Sequence, residues 1–249
     1  MAKQQKHHYV PSFYTKRWAA ADGKLIEYRL GYQGQIFLRR THPDGTGYFR
    51  GLNTIDRLPP EIANFIEDQF LQRADDLACQ ALDHLLAGTL NANIDIKSGW
   101  TRFLISLLHR PPERIRYLKA IIEEKFAPIL ESLREGYPTR RGPNDPPTFD
   151  EYVLKTNPMG RTYAESFQKI VDSVNVGGFI NQLTWAVITL HNPKFALLTS
   201  DRPMVMTNGM NKPDSHIVIA LNPKKLFVAA RSVDVYPAGA ADGRIWRSA

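Results

Sequence analysis

The sequence predicts an α+β fold, formed as a single domain over residues 1–249. Three observations predict it: short strand patterns near the N-terminus, amphipathic helical periodicity through the middle, and apolar runs of strand length in the last third. A chain of 249 residues with 43% hydrophobic and 23% charged residues has the size and composition of one globular domain. Because strands and helices are grouped instead of alternating, we expect α+β and not a doubly wound sheet.

The N-terminal third is predicted to contain short strands and one turn of helix. The pair Val10-Pro11 favours an extended backbone followed by a short helix through Trp18. Tyr14 and Trp18 would then share one face of that helix. Residues 24–30 and 35–39 are typical of a hairpin, and the glycines and prolines of 41–60 predict an irregular loop.

Helices are predicted through the middle of the chain, followed by strands. Apolar spacing of three and four indicates an amphipathic helix from Glu61 to near Gly88 and a buried helix over 100–108. Another helix starts at Pro111-Pro112, and Pro128 should kink it or end it early. Residues 136–148 predict a surface loop or hinge. A long helix over 161–190 and strands over 194–198, 204–207, 216–221 and 226–229 complete the prediction.

Charge and cysteine content narrow the classes of partner and compartment. The formal net charge of +7 favours acidic partners, with nucleic acid first, although an ordinary basic surface is the alternative. The apolar runs are too short to span a bilayer and no signal peptide is evident, so we expect no membrane partner. With Cys79 as the sole cysteine, no intrachain disulfide can form. We therefore expect a reducing, cytoplasmic location. The oligomeric state is left open.

The run from Lys6 to Tyr14 is the strongest candidate for a site. It contains two adjacent imidazoles and two phenols next to a chain end, where side chains are usually polar and variable. In an extended segment His7 and His8 point to opposite faces, so only one of them would line a given pocket. We predict one catalytic or phosphate-contacting histidine, with Tyr9 beside it. The alternative is a packing segment whose imidazoles bond to backbone carbonyls.

Two further segments could complete such a site. Asp201 follows a short apolar strand, in a position where a catalytic carboxylate or an ordinary turn former is found. Arg110 ends the buried helix, and its guanidinium suits a phosphate or, alternatively, an ion pair with the acidic helix. Together with His7, His8 and Tyr9 they form the predicted catalytic set. The predicted substrate-binding set is Arg114, Arg202 and Tyr14.

Metal-ligand patterns are weak in this chain. No His or Cys spacing suits zinc. Glu67 and Asp68 could hold magnesium, although Asp68, Gln72 and Asp76 are spaced by four and equally predict a solvated helix face. We expect no cofactor beyond that magnesium option.

The opening His7-His8-Tyr9-Val10-Pro11, followed by Phe13 and Tyr14, resembles a bacterial domain-of-unknown-function family with an N-terminal His-His-Tyr-Val-Pro motif. The acidic helix around Glu67, the helix end at Arg110-x-Pro112 and the strand-turn 198–203 are similar to the rest of its pattern, so the resemblance covers about residues 6–230. His109 stands where Gln is usual, and this chain ends soon after its β-rich part. The resemblance supports the grouping of these motifs and implies no activity.

The leading functional hypothesis is a hydrolase acting on RNA or DNA phosphodiesters, of the toxin or defence-effector kind. His7 or His8 would transfer the proton, Arg110 would stabilise the phosphoryl charge, and Asp201 would orient the imidazole. The alternative is a non-catalytic module that binds nucleic acid or protein, with the N-terminal run as a structural strap.

Overall fold

Two small sheets form near the N-terminus of the computed structural model, which describes residues 5–55, 63–89, 94–191, 193–207, 209–210 and 212–232 and the backbone of 245–246. Strand β1 (Lys6–His8) pairs antiparallel with β4 (Tyr48–Arg50). Strands β2 (Leu25–Leu30) and β3 (Ile36–Thr41) form the predicted hairpin. Between β1 and β2 lie a helical turn, α1 (Ser12–Thr15), and a 3-10 turn (Lys16–Trp18). The rings of Tyr14 and Trp18 meet at 5.1 Å, as their spacing predicts.

Strand β4 corrects the prediction of an irregular loop over 41–60. Gly47 and Gly51, both at a φ of +64°, bracket a strand of three residues. A strand that short has no periodicity to detect, and its flanking glycines resemble a loop. Two predicted features lie outside the described residues. They are the end of that loop at Pro59 and Pro60, and the helix start at Glu61.

Helices form the middle of the chain. A π-helical segment (Ile66–Leu71) leads into α2 (Gln72–Ala87), which Gly88 ends in the left-handed conformation at φ +69°. The remaining helices are α3 (Ile94–His109), α4 (Pro112–Arg140), α5 (Phe149–Thr156), α6 (Pro158–Val171) and α7 (Val174–Gln182). The buried helix and the new start at Pro112 are as predicted.

Helix α4 is longer than predicted: it does not end early at Pro128, which is one of the two predicted effects of that proline, and it continues into the predicted loop. It runs for 29 residues, with Pro128 and Pro138 inside it. The predicted loop or hinge at 136–148 is therefore helical as far as Arg140. Tyr137 accounts for this extension, because its ring is buried against Phe149 and its hydroxyl donates to the Pro146 carbonyl at 2.8 Å.

The predicted long helical stretch over 161–190 is helical as far as Gln182, but it is divided into two helices and its last part is a strand. Side-chain caps divide the region: Thr148 and Glu151 form a capping box before α5, Asn157 caps α6 and Ser173 caps α7. Residues after α7 then form a strand, β5 (Thr184–Thr189). The β-branched composition of β5 favours a strand. However, β5 follows the apolar helix α7 without a break in hydrophobicity, so the sequence pattern does not show where the helix ends.

A five-stranded antiparallel sheet closes the fold. Its other strands are β6 (Met204–Thr207), β7 (His216–Asn222), β8 (Lys225–Ala230) and β9 (Ile245–Trp246), in the order β6-β7-β8-β5-β9. The predicted strand at 194–198 is irregular instead. Helices in the middle, short strands before them and a sheet after them confirm the α+β class.

Two hydrophobic cores lie side by side in this arrangement. The first joins α2, α3 and the C-terminal sheet, and includes Trp100 and Trp185. The second is built from the segment after β4, the π-helical segment, α4 and α6, and includes Ile115 and Phe167. The ring of Tyr9 packs against both cores. Within the described residues, no helix is both long and apolar enough to cross a membrane.

Candidate functional site

Backbone hydrogen bonds fasten the N-terminal run to the rest of the molecule. In the ladder with β4, His7 is opposite Phe49 and His8 is opposite Tyr48. The backbone N–H groups of Tyr9 and Val10 both donate to the Gly47 carbonyl, at 2.9 and 3.1 Å. Gly47 must approach the Val10 backbone so closely that a Cβ would lie 2.9 Å from the Val10 carbonyl oxygen. The run is therefore an integral strand of the fold.

His7 is fully buried and its tautomer is defined by one contact. Its Nδ1 accepts the backbone N–H of Asn53 at 2.8 Å, so the ring proton of the neutral form sits on Nε2. That Nε2 has no hydrogen-bond partner in the described part of the chain. Burial lowers the pKa of His7 to about 4, and the nearby Lys119 and His8 lower it further against the attraction of Asp68. His7 is neutral near pH 7.

A buried polar network continues from His7 through Asn53. The Asn53 amide donates to Glu67 Oε2 at 3.0 Å and accepts from the Tyr163 hydroxyl at 2.9 Å. Burial raises the pKa of Glu67, although hydrogen bonds from Asn53 and from the His8 backbone and the charge of Arg110 oppose the rise. Sequence reasoning missed Asn53 and Tyr163. Asn53 lies in a segment with no pattern, and Tyr163 occupies an ordinary core position of α6.

His8 also has a ring nitrogen without a partner. Its Nε2 is buried and has no hydrogen-bond partner among the described residues. The Asp44 backbone carbonyl, which accepts from Lys6 Nζ at 2.8 Å, is a hydrogen-bond acceptor that favours the protonated imidazole. Burial lowers the pKa of His8, against that carbonyl and the carboxylates of Asp44 and Asp75. Its ring lies 5.7 Å from the ring of Tyr48.

Arg110 is buried in an ion pair. Its side chain is 1% exposed, and its Nη1 and Nη2 donate to the two Asp75 oxygens at 3.0 and 2.5 Å. Asp75 comes from the acidic helix, as the ion-pair alternative predicts. The guanidinium is therefore committed to Asp75. Its charge acts on Glu67, whose carboxylate accepts the backbone N–H of His8.

An open groove of about 570 Å³ lies beside β1 and β4. Its charged lining is Glu27, Arg29, Arg39 and Arg50, and its aromatic lining is Tyr9, Tyr48 and Phe49. Two more cations lie over these rings: Lys6 is 4.6 Å from the centre of Tyr48, and Arg116 is 5.7 Å from that of Phe49. The groove thus combines positive charge with aromatic faces.

Glu27 is the one acidic side chain lining the groove, and it organises two of the arginines. It accepts from Arg29 at 3.1 Å and from Arg39 at 2.7 Å. Partial burial raises its pKa, but hydrogen bonds from Thr46, Arg29 and Arg39 outweigh that effect and hold the pKa below its usual value. Glu27 is therefore ionised at neutral pH, and the groove keeps a net positive lining.

Tyr9 lines the groove, whereas Asp201 is not among its lining residues. Tyr9 is half-buried, and burial raises the pKa of its phenol, as do the charges of Asp201, Glu27 and Glu113. Asp201 itself is exposed. No contact between Asp201 and either imidazole is found in the described part of the chain. The predicted catalytic set is therefore only partly assembled: Arg110 pairs with Asp75, and Asp201 acts on Tyr9 through its charge.

The predicted substrate-binding residues are dispersed. Tyr14 is fully buried, and its hydroxyl donates to the Ala220 carbonyl at 2.7 Å and accepts from Thr199 at 3.2 Å. That geometry leaves Tyr14 no surface for a substrate. Arg114 is exposed on α4. Arg202 is exposed and pairs with Glu113 at 2.7 Å, and neither residue lines the groove.

Glu67 and Asp68, the predicted magnesium ligands, differ in their surroundings. Glu67 belongs to the buried network, whereas Asp68 is exposed and accepts from the Gln5 side chain at 3.0 Å. Among the residues that the structure describes, no group of three or more His, Cys, Asp or Glu side chains is arranged to hold a metal ion.

Comparison with known proteins identifies one relationship. Residues 6–238 match the model of a family described as protein of unknown function (DUF4238). The match includes the N-terminal run, the buried network and the groove. No curated protein and no solved structure matches the chain.

Proposed function

The chain belongs to the DUF4238 family of proteins of unknown function, and we propose that its groove binds single-stranded nucleic acid. The observation that carries the proposal is the lining of Arg29, Arg39 and Arg50 together with three aromatic rings. Arginine forks recognise phosphates, and aromatic faces stack on bases whose faces are exposed. A duplex offers only its end bases for stacking, so this combination favours a single strand.

The charge of the whole chain supports the same choice of partner. The net charge is +7, and the segment 61–87 holds six of the 25 acidic residues and one basic residue, so the rest of the chain is more basic than the total suggests. Lys6 and Arg116 extend the positive surface beyond the groove lining. A phosphate backbone that leaves the groove would meet these cations next.

Binding is tested with a short labelled RNA over a range of salt concentrations. We expect affinity to fall steeply with salt, and Arg29→Ala to reduce the slope of the log–log plot by about 0.7. Phe49→Ala should weaken binding by about 1–3 kcal/mol through lost stacking. Arg140→Ala removes an exposed arginine that does not line the groove and is the matched control. If both groove variants bind like this control, the groove is not the binding site.

Hydrolysis of the bound strand is the second candidate, and the place of His8 behind the groove wall favours it. The His8 ring lies 5.7 Å from the ring of Tyr48, a residue of the groove wall, and its buried Nε2 has no partner among the described residues. In this proposal a bound strand displaces the Tyr48 ring, and Nε2 then takes the proton of the attacking hydroxyl as the new P–O bond forms. Tyr9 donates its phenolic proton to the oxygen that leaves as the old P–O bond breaks. Arg110 acts as a positioning residue, through Glu67 and the His8 backbone.

Cleavage of the same RNA separates the two candidates. His8→Asn and Tyr9→Phe should each slow cleavage by about 100-fold or more, while the affinity for RNA changes little. His42→Asn, at an exposed histidine outside the groove lining, is the control and should cleave at the wild-type rate. RNA that stays intact with the wild-type protein, while binding remains salt-sensitive, would limit the function to binding.

A further inference from the structure

The β2–β3 hairpin divides its side chains between two faces. Glu27, Arg29 and Arg39 point to one face and line the groove. The opposite face carries five large apolar residues with exposures of 56–80%: Ile26, Tyr28, Leu30, Ile36 and Leu38. The ladder places Tyr28 opposite Leu38 and Leu30 opposite Ile36. These five residues form one continuous apolar surface, which we call the outer face.

An uncovered outer face is unfavourable in water. A two-stranded sheet is marginally stable by itself, and β2 and β3 pair with no other described strand. From the exposures of its five residues, the outer face presents roughly 600 Å² of surface, at the upper end of the range for the largest apolar patch of a typical monomer. This area approaches the roughly 800 Å² that each partner contributes to a standard protein interface.

We propose that the outer face is the interface of a homodimer, packed against the same face of a second copy. The hairpin strands add one charged residue to this side, Arg40 at its edge, which pairs with Asp22 of its own chain at 2.7 Å. One arginine beside five apolar side chains contrasts with the three arginines of the groove, which disfavours a nucleic acid there. An apolar face is complementary to itself, and a two-fold axis through the central Tyr28–Leu38 pair would bury both copies equally.

The dimer would also determine how the grooves are presented. Because the groove residues lie on the face opposite the outer face, two hairpins packed together would direct their grooves away from each other. One dimer would then engage two segments of a strand, or two strands. The dimer itself does not depend on what the groove binds.

Sedimentation equilibrium of the full chain tests the proposal. The wild-type protein should be a dimer at micromolar concentration. Leu30→Glu, which places a charge in the interface, should raise the dimer dissociation constant by about 100-fold or more. Val174→Glu is the matched control, because Val174 is 84% exposed on α7, outside the hairpin. A wild-type monomer throughout the micromolar range, or a Leu30→Glu dimer as tight as the control, would overturn the proposal.

A cross-linking variant keeps the test informative if Leu30→Glu folds poorly. Leu38→Cys in a Cys79→Ala background leaves one thiol per chain, next to the proposed two-fold axis. Mild oxidation should convert this variant into a covalent dimer that reductant reverses. Val174→Cys in the same background should stay monomeric on denaturing gels. Equal cross-linking of the two variants would place the interface elsewhere.

Discussion

His7 and His8 are neighbours with different roles, because their ring nitrogens have different partners. His7 accepts a backbone N–H at Nδ1 and is fully buried, so it acts as a packing and hydrogen-bonding group. His8 has a buried Nε2 without a partner among the described residues, and its ring lies 5.7 Å from the ring of Tyr48 in the groove wall. His8 is therefore the better candidate of the two for proton transfer in the proposed hydrolysis.

Replacing His7 should change how stability depends on pH. Its pKa is about 4 in the folded protein and 6.5 in the unfolded chain, so the unfolded state binds protons more readily. His7 therefore contributes stability that is complete above pH 6.5 and lost as the pH falls to about 4, up to about 3 kcal/mol. His7→Asn keeps an acceptor for the Asn53 N–H but does not titrate.

Melting temperatures between pH 4 and pH 8 measure this effect. The lowered pKa values of His8 and His109 act in the same direction as that of His7, and the raised pKa of Glu67 acts in the opposite direction. The difference between wild type and His7→Asn isolates His7. It should shrink as the pH falls from 6.5 to 4. A difference that is constant over this range would contradict the assigned pKa.

Arg110 and Asp75 give a second prediction at the residue scale. Asp75→Asn leaves a guanidinium buried without its counter-charge and should cost about 3–5 kcal/mol of stability in urea unfolding. The double variant Arg110→Met with Asp75→Leu should recover most of that loss, because no charge is left buried. The exposed pair of Arg17 with Asp83 is the control, and Arg17→Ala should cost about 1 kcal/mol or less. A double variant as unstable as Asp75→Asn would show that packing, and not charge, dominates here.

At the scale of elements, helix α4 shows how tertiary contacts override local signals. Pro128 and Pro138 predict breaks, because each removes a helical hydrogen bond and its ring clashes with the preceding turn. The helix nevertheless continues through both. Its ends are held by Ile115 in the second core and by Tyr137 against Phe149.

Replacing Pro128 with a residue that has a backbone N–H should therefore stabilise the protein. Pro128 is exposed, so Pro128→Ala restores a backbone donor without opening a cavity and should add about 1–3 kcal/mol in chemical denaturation. Pro112→Ala is the matched control. Pro112 occupies the first helical position, where the backbone N–H has no helical partner, so little change is expected. A loss of stability in Pro128→Ala would mean that the helix requires a bend at this position.

The hairpin and the strands show which elements could be predicted. Six-residue strands with a glycine-rich turn, β2 and β3, follow from the pattern, as do the last strands of the sheet. Strand β4 is too short to show a pattern, and β5 continues the hydrophobicity of α7. For both, pairing with a partner strand distant in sequence decides the structure.

At the scale of the whole molecule, the N-terminal run joins two cores. Tyr9 packs against both of them, and Tyr14, five residues later, reaches the C-terminal sheet through the Ala220 carbonyl. Helices and sheet that are far apart in sequence are thus connected by the first few residues of the described chain. The strap interpretation and a role in the groove are compatible, since one face of the run is buried and Tyr9 lines the groove.

Truncating the ring of Tyr9 should weaken both cores at once. Tyr9→Ala is expected to lower the free energy of unfolding by about 2–4 kcal/mol, measured by tryptophan fluorescence in urea. Tyr9→Phe keeps the ring and removes only the hydroxyl, so it should stay within about 1 kcal/mol of the wild type. Equal loss in both variants would show that the hydroxyl, and not the ring, connects the cores.

The sequence by itself determined the α+β class, the hairpin, the ends of α2 and α3 and the N-terminal run as a candidate site. These features depend on local chemistry: periodicity, proline, glycine and unusual composition. Only the tertiary structure decided that Arg110 is committed to Asp75, that Asn53 joins His7 to Glu67, and that Tyr163 donates to Asn53. Those hydrogen bonds join residues 14 to 110 positions apart, and no local pattern in the sequence relates such residues to each other.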